Sequence, residues 1–80
     1  MLTTKHFNER MAQRGITKRM VNLALEYGKE QRGKIILNRK ATQKIIDEME
    51  RVKKDLLKIM DKGGVTVVCN DDILITTYRP

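Results

Sequence analysis

The sequence has few of the residues that build disulfides, metal centres or membrane spans. Its one cysteine, Cys69, excludes an internal disulfide. Together with the one histidine, His6, it cannot fill the four positions of a structural zinc site. No apolar stretch approaches the roughly 20 residues of a membrane span, and the first ten residues lack the apolar region of a signal peptide. We expect a cytoplasmic protein with no cofactor and no membrane partner, and we expect Cys69 to be buried as a small apolar residue.

Acidic residues are also in deficit. The 80 residues include 17 basic and 10 acidic side chains, a formal charge of +7 with a pI near 9.9. A polyanion is therefore the first class of partner to consider. The length predicts a single domain over residues 1–80 and excludes solenoids and doubly wound cofactor folds. The hydrophobic fraction of 40% suffices for a thin core.

The N-terminal part predicts two short helices. Thr3 or Thr4 can cap the first, which ends at Gly15. Thr17 can cap the second, which Gly28 ends. The apolar side chains that we expect these helices to bury are Phe7, Met11, Met20, Val21, Ala24, Leu25 and Tyr27.

The remainder predicts strands on either side of a long helix. The short apolar run 34–37 is typical of a strand. A helix over 41–61, starting at Asn38 or Thr42, follows from apolar residues at helical spacing. Two β-branched runs, 65–69 and 73–78, are joined by the turn residues 70–72 and predict a hairpin.

The order of these elements predicts an α+β fold, with a small three-stranded sheet that carries the helices and ends in a β-hairpin. Strand 34–37 could join the sheet in parallel through the helical crossover, or antiparallel. The long helix should pack one apolar stripe on this sheet. The stripe consists of Ile45, Met49, Val52, Leu56 and Met60.

Basic residues crowd the first predicted helix, which contains Lys5, His6, Arg10 and Arg14. At helical spacing His6, Arg10 and Arg14 share one stripe with Gln13, beside the apolar pair of that helix. Imidazole can accept or donate a proton near neutral pH, and guanidinium groups bind phosphate oxygens in pairs. These groups suit metal-independent RNA cleavage, in which the 2′-hydroxyl attacks the phosphorus. A solvated basic face that touches nucleic-acid backbone is the alternative explanation.

A second basic group, Arg39, Lys40 and Lys44, lies near the start of the long helix. Cations at that end oppose the helix dipole, a placement that an anionic partner would favour. We take these residues as candidate nucleic-acid contacts, with a solvated turn as the alternative.

Two stretches resemble a family of small uncharacterised bacterial and phage domains. The N-terminal signature of that family resembles His6-Phe-Asn-Glu-Arg-Met-Ala-Gln-Arg-Gly-Ile16, and its C-terminal residues resemble Ile75-Thr-Thr-Tyr-Arg79. The resemblance covers residues 4–37 and 64–79. That family is similar in fold to RelE/ParE-type toxins and colicin-type ribonucleases. The long helix departs from its simpler pattern.

The resemblance implies a toxin-like domain that acts on RNA, which could be on the ribosome, and that is inhibited by a small acidic antitoxin or inhibitor protein. It implies catalytic roles for His6, Arg10, Arg14 and Tyr78, and it adds Arg79 to Lys5 and the second basic group as RNA contacts. Tyr78 and Arg79 point to opposite faces of a strand, so at most one would reach a site on one face.

Three hypotheses follow from the sequence: a metal-independent endoribonuclease related to the toxins of toxin–antitoxin pairs, a nucleic-acid-binding protein without catalysis, and a module that binds an acidic protein.

Overall fold

A computed structural model describes residues 2–80 and is α+β, with three helices and two separate two-stranded antiparallel sheets. The chain divides into two compact units, one up to Thr42 and the other from Gln43 to Pro80. The elements in order are α1 (Lys5–Arg14), α2 (Lys18–Tyr27), β1 (Lys29–Gln31), β2 (Lys34–Ile36), α3 (Arg39–Asp61), β3 (Thr66–Asn70) and β4 (Ile73–Tyr78).

The first two helices begin where the sequence predicts them. Thr4 is the N-cap of α1, since its Oγ1 accepts a hydrogen bond from the backbone N–H of Phe7 at 3.0 Å. Thr17 does the same for α2 with the N–H of Met20 at 3.2 Å. Each hydroxyl satisfies one backbone donor that the first helical turn leaves without a partner.

A short hairpin follows α2 and contains a strand that sequence analysis missed. In this hairpin β1 pairs antiparallel with β2 across Arg32 and Gly33. Both turn residues have positive φ, 52° and 77°, as a two-residue type I′ turn requires. The strand β1 is polar throughout, so no apolar alternation marks it.

The predicted three-stranded sheet is wrong. Among the described strands, β2 pairs with β1, and β3 pairs with β4 in a sheet of its own. A two-residue turn brings β1 and β2 together at a lower cost in loop-closure entropy than a crossover through α3 would require.

The long helix α3 covers the predicted range and begins at Arg39. Asn38, one of the two expected starting residues, caps it: the Asn38 Oδ1 accepts from the N–H of Ala41 at 2.9 Å. Within residues 2–80, no helix combines the length and the apolar character needed to cross a membrane. The longest helix, α3, contains too many charged residues.

The predicted C-terminal hairpin is confirmed. In it β3 pairs with β4 around the turn residues Asp71 and Asp72, with an irregularity in register between Val68 and Cys69. The Thr77 hydroxyl donates to the backbone carbonyl of Thr66 at 2.8 Å and adds a cross-strand bond.

Two predictions about burial are wrong. The stripe of α3 does not pack on a sheet: within the second unit α3 and the hairpin make no contact, and Leu56 and Met60 are 57% and 67% exposed. Cys69 is exposed, because β3 has β4 as its one neighbour and its sheet is covered by no helix of that unit. No side chain from Leu2 to Pro80 is fully buried; Met11, Val21, Ala24 and Ile45 are half-buried.

Candidate nucleic-acid interface

The three residues of the sequence-predicted catalytic stripe on α1 are brought together by that single helix. His6, Arg10 and Arg14 follow one another at intervals of four residues. In an α-helix such residues are neighbours, with about 5–6 Å between their Cβ atoms. We call these three residues the α1 basic face. The helix ends at Gly15, whose N–H is bonded to the Met11 carbonyl, so Arg14 lies in the last turn, where a cation is favourable.

All three side chains of the α1 basic face are exposed. None of them forms an ion pair or side-chain hydrogen bond with another part of the chain from Leu2 onward. The nearby Lys5 is different, since its Nζ lies 4.0 Å from Glu9 Oε1. The α1 basic face therefore presents two guanidinium groups and one imidazole to solvent, each available to an anion.

The apolar side of α1 faces a groove in the first unit. This open groove of about 1200 Å³ is lined by apolar side chains of α1, α2 and β2, including Phe7, Met11, Leu25 and Ile35. His6, Arg10 and Arg14 are not among its lining residues. The α1 basic face is consequently an open surface rather than the wall of a cleft. Such a surface suits contact with an extended polyanion better than enclosure of a small substrate.

The second basic group lies in the first two turns of α3. Arg39, Lys40 and Lys44 are exposed, and the first turn contains no acidic residue. Within the described chain no carboxylate pairs with any of them. The positive end of the helix dipole adds to their charge, so this end of α3 also attracts anions.

Tyr78 and Arg79 lie at the end of β4 and just after it, in the second unit. Tyr78 pairs with Thr66 in the sheet and is 55% exposed. The α1 basic face belongs to the first unit. A site that combines Tyr78 or Arg79 with α1 stays a prediction.

Arg32 is a basic residue that sequence analysis did not single out. It occupies the first position of the β1–β2 turn with a positive φ, and its side chain is exposed. The signal that could have identified it is the Arg-Gly pair between Gln31 and Lys34, since a glycine in a two-residue connection is typical of a hairpin.

The described residues also lack a group of side chains that could hold a metal ion. Over the residues that the structure describes, no three His, Cys, Asp or Glu side chains lie close enough to hold a metal ion.

Comparison with known proteins identifies a family. Residues 3–79 match the model of a family described as a domain of unknown function, DUF4258. The match confirms the expected membership of a small domain family, and it carries no link to RelE/ParE-type toxins or colicin-type ribonucleases. Comparison with curated proteins and with solved structures found no match.

Proposed function

The chain belongs to the DUF4258 family, and we propose that this member binds RNA through the α1 basic face. One observation carries the proposal: His6, Arg10 and Arg14 share an exposed face on one capped helix and have no acidic partner in the described chain. Guanidinium groups that no carboxylate occupies can form charge-assisted, bidentate hydrogen bonds with phosphate oxygens.

The charge of the whole chain supports a polyanion as the ligand. A net charge of +7 attracts the phosphate backbone over a distance of about 8–10 Å at physiological ionic strength. Each arginine can then hold two oxygens of one phosphate. Because the helix fixes the spacing of Arg10 and Arg14, the two side chains can contact neighbouring phosphates of one strand. Arg39, Lys40, Lys44, Lys5 and Arg79 are further candidate contacts.

Binding is tested by titrating a labelled single-stranded RNA with the protein at several salt concentrations. Arg10→Ala and Arg14→Ala should each weaken binding and reduce the slope of log K against log salt by about one unit, because each removes one phosphate contact. Fluorescence anisotropy measures both quantities.

Arg51→Ala is the matched control. It removes the same charge, but the Arg51 guanidinium already donates to Glu48 Oε2, at 2.7 Å from Nη2. Its salt slope should equal that of the wild type. If Arg51→Ala lowers affinity as much as Arg10→Ala, net charge and not the α1 basic face determines binding, and the proposal is wrong.

A second candidate function, metal-independent RNA cleavage, is favoured by the imidazole in this face. His6 lies one helical turn from Arg10. In such a reaction a base takes the proton of the RNA 2′-hydroxyl, whose oxygen attacks the adjacent phosphorus. The bond to the 5′-oxygen breaks as that oxygen gains a proton. We assign removal of the 2′-hydroxyl proton to His6, with water as the proton donor to the 5′-oxygen, and stabilisation of the charge on the pentavalent phosphorus to Arg10 and Arg14; Tyr78 remains a candidate from the resemblance to the toxins.

His6→Ala tests this second function. Any cleavage by the wild type should continue in a metal chelator and leave 2′,3′-cyclic phosphate ends, and the substitution should lower its rate about 100-fold or more. The melting temperature should stay nearly unchanged, because the His6 side chain is exposed and makes no hydrogen bond in the described chain. A substrate with a 2′-deoxy group at the cleaved position is the control and should remain intact. Cleavage that survives His6→Ala would remove this residue from the mechanism.

Resemblance to the toxins also supports a protein partner, a small acidic antitoxin or inhibitor. Such a protein would compete with RNA, because carboxylates and phosphates bind the same guanidinium groups.

A further inference from the structure

The second unit contains an exposed apolar surface on α3 with the spacing of a coiled coil. Five residues are separated by four, three, four and three positions, which keeps them in register along one side of the helix. We call them the α3 seam; they are Ile45, Met49, Val52, Leu56 and Ile59. Three of them, Met49, Val52 and Leu56, are 46–57% exposed.

The central part of the seam forms a shallow groove with a charge of opposite sign on each side. Met49, Val52 and Leu56 line the groove, together with Glu48, Lys53, Leu57 and Met60. At 100° per residue Glu48 lies on one side of the seam and Lys53 on the other. Within residues 43–80 no other element packs against this surface. Monomeric proteins rarely leave an apolar stripe of this kind open to water.

We propose that the α3 seam binds a second copy of this chain, with the two α3 helices parallel and in register. Charge complementarity between the flanks of the seam indicates both that a second copy binds there and that the two helices are parallel. In a parallel pair, a residue that flanks the seam on one side contacts the residue five positions later in the other helix, which flanks that helix's seam on the opposite side. Glu48 of each copy therefore lies beside Lys53 of the other, and the two-fold symmetry makes this favourable contact twice.

The antiparallel direction places like charges together. When Met49 lies opposite Val52 of an antiparallel helix, the side of the seam that bears Glu48 faces the same side of the other copy, and Glu48 meets Asp55. Like charges at such positions oppose pairing. Glu48 also accepts hydrogen bonds from Arg51 on its Oε2, which leaves Oε1 for the second copy.

The residue types in the seam bear on how many copies assemble. Met49 and Leu56 occupy one set of heptad positions, and the β-branched Ile45, Val52 and Ile59 occupy the other. Leucine and isoleucine in this arrangement shift coiled coils from two strands towards more. Whatever the number of strands, Glu48 of one copy lies beside Lys53 of a neighbouring parallel copy.

The experiment measures mass against concentration by sedimentation equilibrium. It uses the full chain with Cys69→Ser, which prevents disulfide formation through the exposed thiol. The mass should rise above that of a monomer between about 5 and 500 µM. Lys53→Glu should weaken association about tenfold or more, because Glu48 then meets a carboxylate on each side. The double variant Glu48→Lys/Lys53→Glu should restore it.

Lys54→Glu is the matched control, since it makes the same charge change on the opposite side of α3 and should leave association nearly unaffected. Direction is tested with Ile45→Cys in the same background. Under mild oxidation this variant should form a disulfide-linked dimer, because a parallel pair brings the two Cys side chains together, whereas an antiparallel pair separates them along the helix.

Two outcomes would overturn the proposal. A mass that stays monomeric over the whole range would mean that the seam does not bind a second copy. Equal effects of Lys53→Glu and Lys54→Glu, or no cross-link through position 45, would mean that copies associate in another way. Circular dichroism of each variant checks that α3 remains helical.

Discussion

Gly28, between α2 and β1, lies where the backbone of α2 and the strand β2 leave no space for a side chain. A Cβ atom added there would overlap the Ala24 carbonyl oxygen and would lie 2.8 Å from Ile35 Cγ2. The Gly28 N–H also bonds to that same carbonyl, at 2.7 Å. The close approach of helix and strand therefore excludes any side chain at this position.

Gly28→Ala should destabilise the protein by roughly 1–3 kcal/mol, because backbone and a packed isoleucine must both move. Urea denaturation followed by circular dichroism measures the change. Lys29→Ala, at the neighbouring exposed position, should change stability by less than about 0.5 kcal/mol. Equal stability of the wild type and Gly28→Ala would show that α2 and β2 do not approach as described.

At the scale of the element, the hydrogen bond from the Phe7 N–H to Thr4 stabilises the helix that presents the α1 basic face. Thr4→Ala should cost about 1 kcal/mol by leaving that backbone donor without its partner. Because α1 has ten residues, loss of the cap should also weaken RNA binding, since a frayed first turn no longer holds His6 in line with Arg10.

Thr3→Ala is the matched control: Thr3 precedes the cap and accepts no hydrogen bond from α1. Thermal melting and RNA titration of the two variants give the comparison. If they behave alike, the hydroxyl of Thr4 does not organise the helix.

The positions of helices and strands could be predicted from the sequence better than the pairing of the strands. Three helix starts could be predicted, Thr17 as a single cap and Thr4 and Asn38 each as one of two candidates, because a cap is a local interaction between residues three apart. The strand β1 was missed because its side chains are polar. The three-stranded sheet was wrong because the sequence of a strand does not specify which edge it pairs with.

The candidate site divides in the same way. One helix is enough to bring His6, Arg10 and Arg14 together, so their spacing predicted a common face. A site that also includes Tyr78 or Arg79 would need packing between residues far apart in the sequence, which no local pattern specifies. For α3, helical spacing predicted an apolar stripe, yet such a stripe can pack on a sheet or on another helix, and its predicted packing on the sheet was wrong.

For the whole molecule, the two proposed associations should respond differently to salt. RNA binding through Arg10 and Arg14 alone should weaken roughly 25-fold for a tenfold rise in salt, because two phosphate contacts on a single strand release about 1.4 counterions. Self-association through the α3 seam should change by less than about threefold, since apolar burial does not weaken with salt and only the Glu48–Lys53 contact is screened.

Anisotropy and sedimentation at about 50 and 500 mM salt measure the two responses on the same samples. At high salt the copies should therefore remain associated through the α3 seam while RNA dissociates. Parallel losses of both activities would indicate that RNA holds the copies together and that the seam does not.

The backbone of Gly15 has a consequence for chirality. Its φ of 64° and ψ of 30° are the mirror image of ordinary helical angles. An L-amino acid is strained there, whereas a D-amino acid would occupy its own preferred helical region. D-alanine at this position, introduced by chemical synthesis, would keep the bond from the Gly15 N–H to Met11 and reduce the freedom of the unfolded chain, a gain of about 0.5–1 kcal/mol. At position 15, a D-amino acid therefore fits the backbone of the fold better than any L-amino acid with a side chain.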